Sequence, residues 1–373
     1  MPGLRQLTIA LAACGIAWPA AAQGITLFGL LDAGIEVLDN VGPGGSRLVR
    51  MPSLTGTVSS RLGVRMQEDL GGGLSAQAVL EMGLAPDQGT MLQGGRAWGR
   101  QSWVGLQTPL GLFSAGRQYT MLFWSVLEAD ILGPNLFGTG SLDAGIPNAR
   151  SDNTLAWRHG FSGWTLGATW SLGRDVANAG PSPSGTNCAG ESATDSRACR
   201  AWSAMVKLDR PRWGFAIADD RQHGREVGPA PDAVFGGLDS SAKVDRRLSV
   251  NGYLKWGEVK LGGGVIDRRN DGDAVKPDRR LWYFGAAWPV MPQLTIDGAW
   301  MTLRHANVDG HDATLVALRG LYSFSRRTAV YAQLGRISNE RLSALSVSAG
   351  AAGSNPAPGQ AQNAVNAGLR HSF

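Results

Sequence analysis

Lysine is scarce in this 373-residue chain: there are five, against 13 tryptophans and 52 glycines. Beyond the N-terminal segment no run of ~18 consecutive apolar residues occurs, which excludes a membrane-crossing helix. Cysteine is rare too, three in all, with no CxxC pair and no nearby histidine, so a zinc or redox site of that kind is not expected. Also missing are a GxSxG elbow, an HExxH helix, a Walker A loop and a GxGxxG turn, which removes the motif-bearing enzyme classes. The five histidines, His159, His223, His305, His311 and His371, are dispersed without ligand spacing. The stretch from Asp267 to Asp273 fails as a calcium loop, because Arg269 takes a ligand position and Asp278 replaces the closing glutamate. No cofactor and no metal are expected.

The chain carries a formal net charge of +5 and a pI near 9.4, with arginine supplying most of the positive charge. These charges are spread throughout the sequence rather than gathered into a patch, which argues against a nucleic-acid partner. Residues 1–22 read as a secretory signal: Arg5 gives the positive start, Leu7 to Trp18 the apolar stretch, and Ala20-Ala21-Ala22 a small-residue cleavage site. Leu11-Ala12-Ala13-Cys14-Gly15 also resembles a lipidation box, but the second site just before the first strand pattern is the better reading. Export leads to an oxidising compartment. There Cys188 and Cys199, 11 residues apart in a Gly/Ser/Pro-rich segment, are expected to form a loop-stapling disulfide; two unpaired thiols are the alternative.

From Ile25 onward one theme repeats: about ten residues alternating apolar and polar, then a connection. Ile25, Leu27, Leu31, Ala33, Ile35 and Val37 share one face, and Thr26, Asp32 and Glu36 the other, because successive side chains of a strand point to opposite sides. Trp164, Leu166, Ala168, Trp170 and Leu172 oppose Thr165, Thr169 and Ser171. Leu248, Val250, Leu254 and Trp256 oppose Arg247, Ser249, Asn251 and Lys255. At the end, Val365, Ala367, Leu369 and Phe373 oppose Asn366, Arg370 and Ser372. Connections alternate between short turns (69–73, 159–163, 256–258, 325–327) and long irregular stretches (40–58, 119–150, 173–200, 223–243, 269–278, 338–360). One domain, residues 23–373, results. Its fold class is all-β: a closed transmembrane antiparallel β-barrel of about 16 strands, with apolar faces against lipid and no open edge. Trp98, Trp103, Trp164, Trp202, Trp256, Trp282, Trp288 and Tyr322, at segment ends, suit interfacial girdles.

Several stretches are similar to the general porins of β-proteobacteria. Ile25-Thr26-Leu27-Phe28-Gly29-Leu30-Leu31-Asp32-Ala33-Gly34 resembles their opening strand. Ser60-Arg61-Leu62-Gly63-Val64-Arg65, leading into Glu68-Asp69-Leu70-Gly71-Gly72-Gly73, resembles the next hairpin. Further matches are Gly95-Arg96 through Gly99-Arg100-Gln101 to Val104-Gly105-Leu106, and Gly116-Arg117-Gln118-Tyr119. Ser325-Arg326-Arg327-Thr328-Ala329-Val330-Tyr331-Ala332 and Gly368-Leu369-Arg370-His371-Ser372-Phe373 complete the series. The resemblance implies short periplasmic turns, long extracellular loops and a third loop folded inward. It also implies a homotrimer among outer-membrane lipid and lipopolysaccharide, with Phe373 as the terminal aromatic that the assembly machinery recognises. Pro134-Asn135-Leu136-Phe137-Gly138 matches the usual third-loop tip only loosely.

A barrel of this size leaves an aqueous channel, and rings of charge then set its selectivity. The third loop carries Glu128, Asp130 and Asp143, and the arginines matched by motif are Arg61, Arg65, Arg96, Arg100, Arg117 and Arg150. Arginines of this set are expected on one wall, opposite the loop's carboxylates. Parity puts Arg61 and Arg65 on the wet face, whereas Arg100 shares parity with Val104 and Leu106 and a rim position is open for it. The function expected is passive diffusion of small hydrophilic solutes and ions, with weak anion preference. Rival readings are a channel specific for carboxylates or sugars, a rim hydrolase, and a secreted β-rich binding protein or adhesin.

Overall fold

The computed structural model describes residues 24–54, 57–133, 135–174, 188, 190–226, 237–348 and 352–373. The signal-peptide reading for residues 1–22, Cys14 included, lies outside them, as does Pro134. The first strands are β1 (Gly24–Val41), β2 (Ser46–Arg50), β3 (Arg61–Gly71), β4 (Leu74–Ala85), β5 (Thr90–Met91) and β6 (Gln101–Thr108). Next come β7 (Gly111–Tyr119), β8 (Arg150–Phe161), β9 (Trp164–Ser171), β10 (Ala201–Asp209), β11 (Trp213–His223) and β12 (Val244–Trp256). The last are β13 (Val259–Asn270), β14 (Asp278–Met291), β15 (Leu294–His305), β16 (Ala313–Ser323), β17 (Thr328–Asn339) and β18 (Gln362–Ser372).

Short β2 and β5 only extend their neighbours β1 and β4. The other strands, sixteen in number, form one antiparallel ring in which each pairs with the next along the chain. The ring closes where β18 pairs with β1, from Leu30 opposite Ser372 to Leu38 opposite Ala364. Two backbone hydrogen bonds between Gly29 and Phe373, of 3.0 and 3.1 Å, finish the seam. The Phe373 ring lies over Gly29 so closely that a Cβ there would sit 2.3 Å from it, so a side chain at this position would force the ring to move.

Alternation along β1 places the apolar face outward. Ile25 is 74% exposed and Ile35 55%, while Asp32 and Glu36, of the opposite parity, are fully buried. Exposed apolar side chains such as Val250, Phe284, Trp300, Val316 and Leu369 continue this outer face around the ring. In water such a surface would be unfavourable by about 25 cal/mol per Å²; in hydrocarbon it is matched. Among the described residues no helix is long and apolar enough to cross a membrane.

Inside, one sector of the barrel departs from the simple wet-face expectation. The inward residues of β13 to β17, among them Ile266, Leu281, Met301, Leu303, Leu315 and Ile337, are apolar and buried. They pack against Val126, Ala129, Leu132, Leu136, Phe137, Leu142 and Ile146 of the connection between β7 and β8, the third long loop. That loop is therefore a dry plug on one wall. Each such side chain stabilises it by roughly 1.5–3 kcal/mol. Another long connection, between β9 and β10, contains the Cys188–Cys199 disulfide, with Cα atoms 5.7 Å apart.

Val250 stands at the middle of β12, facing out. Val250→Arg is expected to destabilise the barrel by about 2–4 kcal/mol, the cost of an arginine at the bilayer midplane. Denaturant titration of protein folded into lipid vesicles checks this.

Candidate channel constriction

The third loop begins with a six-residue helix, Met121–Val126, and continues through a single turn at Thr139–Leu142 before β8. Its tip is clamped from two sides. Asn135 donates its side-chain amide to the Thr57 carbonyl of the first loop, and the Phe137 N–H bonds the Val347 carbonyl of the last loop at 3.2 Å. Phe137 adopts a left-handed φ of 58° and is completely buried against Val347 and Gly335. Such a conformation costs on the order of 1 kcal/mol or more for a non-glycine residue and persists only where packing enforces it.

An ionic lock holds the loop's far end. Both Asp143 oxygens accept from Arg247 at 3.0 Å, Arg247 also donates to Asp245 at 3.0 Å, and Arg268 donates to Asp245 at 2.9 Å. Burial by itself would raise the Asp143 pKa, but Arg247 and Arg268 outweigh it and hold the carboxyl at about 2. Asp143 thus fastens the loop to β12 and does not face the basic wall. Glu128 is also directed elsewhere: it accepts from Lys260 at 2.7 Å.

With the loop docked on β13 to β17, the space left on the other side is a cavity of about 540 Å³. Arg61, Arg65, Arg100 and Arg150 line it, together with Arg319, Arg370, Glu81, Tyr119 and Asp130. The basic wall is internally braced. Arg100 donates to Glu81 and, at 2.7 Å, to the Tyr119 hydroxyl, which also accepts from Arg150 at 3.3 Å. Arg61 lies 3.8 Å from Glu81, and the Arg65 guanidinium sits 5.2 Å from the centre of the Phe28 ring. Across the opening, Arg319 pairs with Asp297 at 2.6 Å. Asp130, on the loop and not on a spanning strand, accepts from Thr139 at 2.6 Å. Burial raises its pKa to about 6, although Thr139 and Arg319 pull the other way.

Of the acidic residues picked from sequence, then, Asp130 reaches the cavity, and Glu128 and Asp143 do not. Arg100 precedes β6, so strand parity does not govern it; it turns inward, and the rim position is overturned. Arg96 and Arg117 are corrected as well. Both grip Asp152, at 3.0 and 2.7 Å, outside the cavity. Arg117 pairs with Ser102 on the face shared with exposed Val104 and Phe113, which places it on the outer side. Arg319, Arg370 and Glu81 were missed. Their parity was readable, since Val316 and Leu318 flank the Arg319 face and Arg370 alternates with Leu369, but no motif singled them out.

Comparison with known proteins settles the family. The model of the Gram-negative porins matches residues 8–342. The chain belongs to that family. Outer membrane porin protein 32 of Delftia acidovorans is 25% identical over 391 residues, covering 99% of this chain and all of that one. The anion-selective porin from Comamonas acidovorans has the same fold, with a TM-score of 0.72 over 94% of this chain and 100% of the other, at 21% identity. The trimer form of OmpT from Vibrio cholerae matches with a TM-score of 0.63 at 18% identity, over 95% and 100% of the two chains. This protein is thus a general diffusion porin of the outer membrane, a closed barrel around a passage for small hydrophilic solutes.

Arg247→Gln removes the partner of a buried carboxylate, a change that costs roughly 3–5 kcal/mol. The porin variant is expected to unfold at lower temperature and to show noisier single-channel current, because the third loop loses its anchor. Thermal unfolding and planar-bilayer recording test the two effects.

Proposed function

We propose that this porin is a passive channel with a modest preference for anions, and that it has no catalytic role. The carrying observation is the charge balance of the constriction: six arginines against Glu81 and Asp130 line one cavity. Fixed charges on a narrow, weakly screened wall raise the local concentration of counter-ions and lower it for co-ions. Arg61, Arg65, Arg100 and Arg150 supply the basic side of the field, and Asp130 supplies a carboxylate on the loop.

A homotrimer is the assembly proposed. No tryptophan occurs in residues 24–97 or 301–373, so the outer faces of β1, β3, β4, β17 and β18 lack the tryptophans that mark a membrane interface. Those faces are adjacent around the ring and suit contact between protomers. Export by residues 1–22 and recognition of Phe373 during assembly belong to the same proposal.

Planar bilayers separating unequal KCl concentrations test the preference. The reversal potential is expected to have the anion-selective sign, and Arg61→Gln with Arg65→Gln to move it toward zero. A cation-selective wild type overturns the proposal, and conductance that saturates with one solute class favours a specific channel. Acid adds a second check. Asp130 is mostly ionised at pH 8 and mostly neutral at pH 5, so anion preference should rise as pH falls through about 6. In Asp130→Asn that part of the pH dependence should vanish.

A further inference from the structure

The face that the third loop turns toward the passage is apolar. Phe123, Leu127 and Ile131, spaced four residues apart, line the constriction cavity, and Leu127 is 37% exposed. The carboxylates of the loop add little to that face. Glu128 is turned to Lys260 and Asp143 to Arg247, while Asp130, 5% exposed, accepts from Thr139. Arginines form the wall across the opening. The constriction is therefore amphipathic, with one cationic side and one oily side, and a small inorganic anion can use only the first.

Rings are also set among the cations. Phe28 and Tyr119 line the same cavity, and Phe123 stacks on Tyr119 with ring centres 3.8 Å apart and planes 14° apart. The Arg65 guanidinium lies 5.2 Å from the centre of Phe28, and that of Arg150 lies 4.7 Å from the centre of Tyr119. A guanidinium held over a ring keeps its N–H edge available for a carboxylate. Arg61 and Arg100 already face Glu81, and Arg319 is paired with Asp297. Among the described residues Arg65 and Arg370 have neither a hydrogen bond nor an ion pair. Toward the short-turn end the pairing of cation and ring recurs: Arg158 of β8 lies 4.2 Å over Trp124 of the loop helix.

We propose that the constriction is a binding site for aromatic monocarboxylates of the benzoate class. Arg65 and Arg370 take the carboxylate, and the ring lies against Phe123 and Leu127. A cavity of about 540 Å³ is within the size that small organic ligands occupy. Burying the ring adds an attraction that chloride and acetate lack. A neutral aromatic lacks the other half, the charge-assisted hydrogen bonds. This assignment rests on the anion preference proposed above and names the solute class that exploits it best.

Planar-bilayer recording of the assembled porin in symmetric KCl tests it by addition of benzoate, acetate or benzyl alcohol. Benzoate is expected to reduce the current saturably, with a half-blocking concentration roughly tenfold below that of either other compound. In a Phe123→Ser, Leu127→Ser variant the ratio between acetate and benzoate should fall toward one. Arg65→Gln with Arg370→Gln should raise the half-blocking concentration of benzoate about tenfold. Equal block of wild type by benzoate and acetate, or by benzoate and benzyl alcohol, overturns the proposal. So does an unchanged ratio in the folded Phe123 and Leu127 variant. If that variant does not assemble, the three-compound comparison on wild type still decides. The reversal potential in plain KCl reads the general preference separately: an anion-selective channel that all three compounds block alike refutes only the aromatic site. A cation-selective channel that benzoate blocks preferentially refutes only the general preference.

Discussion

Hydrocarbon offers no hydrogen-bonding partner to a peptide group, so every N–H and C=O within the membrane must find one in the protein. This requirement makes the seam between β1 and β18 indispensable. An open sheet would expose a row of unpaired groups to lipid, each costing several kcal/mol. The long β1 resolves it by pairing with β3 through its first half and with β18 through its second. Gly29 and Phe373 lock the junction. Everything else in the molecule is arranged around that ring.

Closure alone would leave a wide hole, and the third loop narrows it by an economy of means. One flank is apolar and packs onto an apolar inner wall, so its position is set by burial; the other flank faces a wall of arginines. The ionic lock from Asp143 through Arg247 and Asp245 to Arg268 ties the loop's far end to β12 and β13. Clamps at Asn135 and Phe137 fix the tip. The same carboxylate chemistry thus has two roles within one loop: Asp143 is consumed in anchoring, whereas Asp130 stays at the passage.

Charge is also divided between inside and outside. Arginines facing the lumen brace one another through Glu81 and Tyr119 and make one wall of the passage basic. Arginines facing outward near the loops lie opposite each other in register, Arg246 against Arg269 and Arg280 against Arg304, and Asp267 is divided between Arg269 and Arg280. Arginine suits both places because it stays ionised and binds carboxylate in a planar fork. The scarcity of lysine in the chain is consistent with that use.

The period-two pattern was enough to establish strands, their outward faces, the alternation of short and long connections and the approximate strand number. These follow because lipid on one side forces a local rule on every second residue. Parity also put Arg61, Arg65 and Arg370 on the inner face. What the pattern could not convey is where the third loop docks. The apolar inward residues of β13 to β17 look like lapses in alternation until the loop is laid against them. Whether Asp143 meets solvent or Arg247, 104 residues away, depends on that docking. Likewise Arg96 and Arg117 share the motif context of Arg100, yet meet Asp152 outside the cavity. Local sequence fixes which way a strand residue points; only the packed tertiary structure decides which distant group it meets, because loops obey no period.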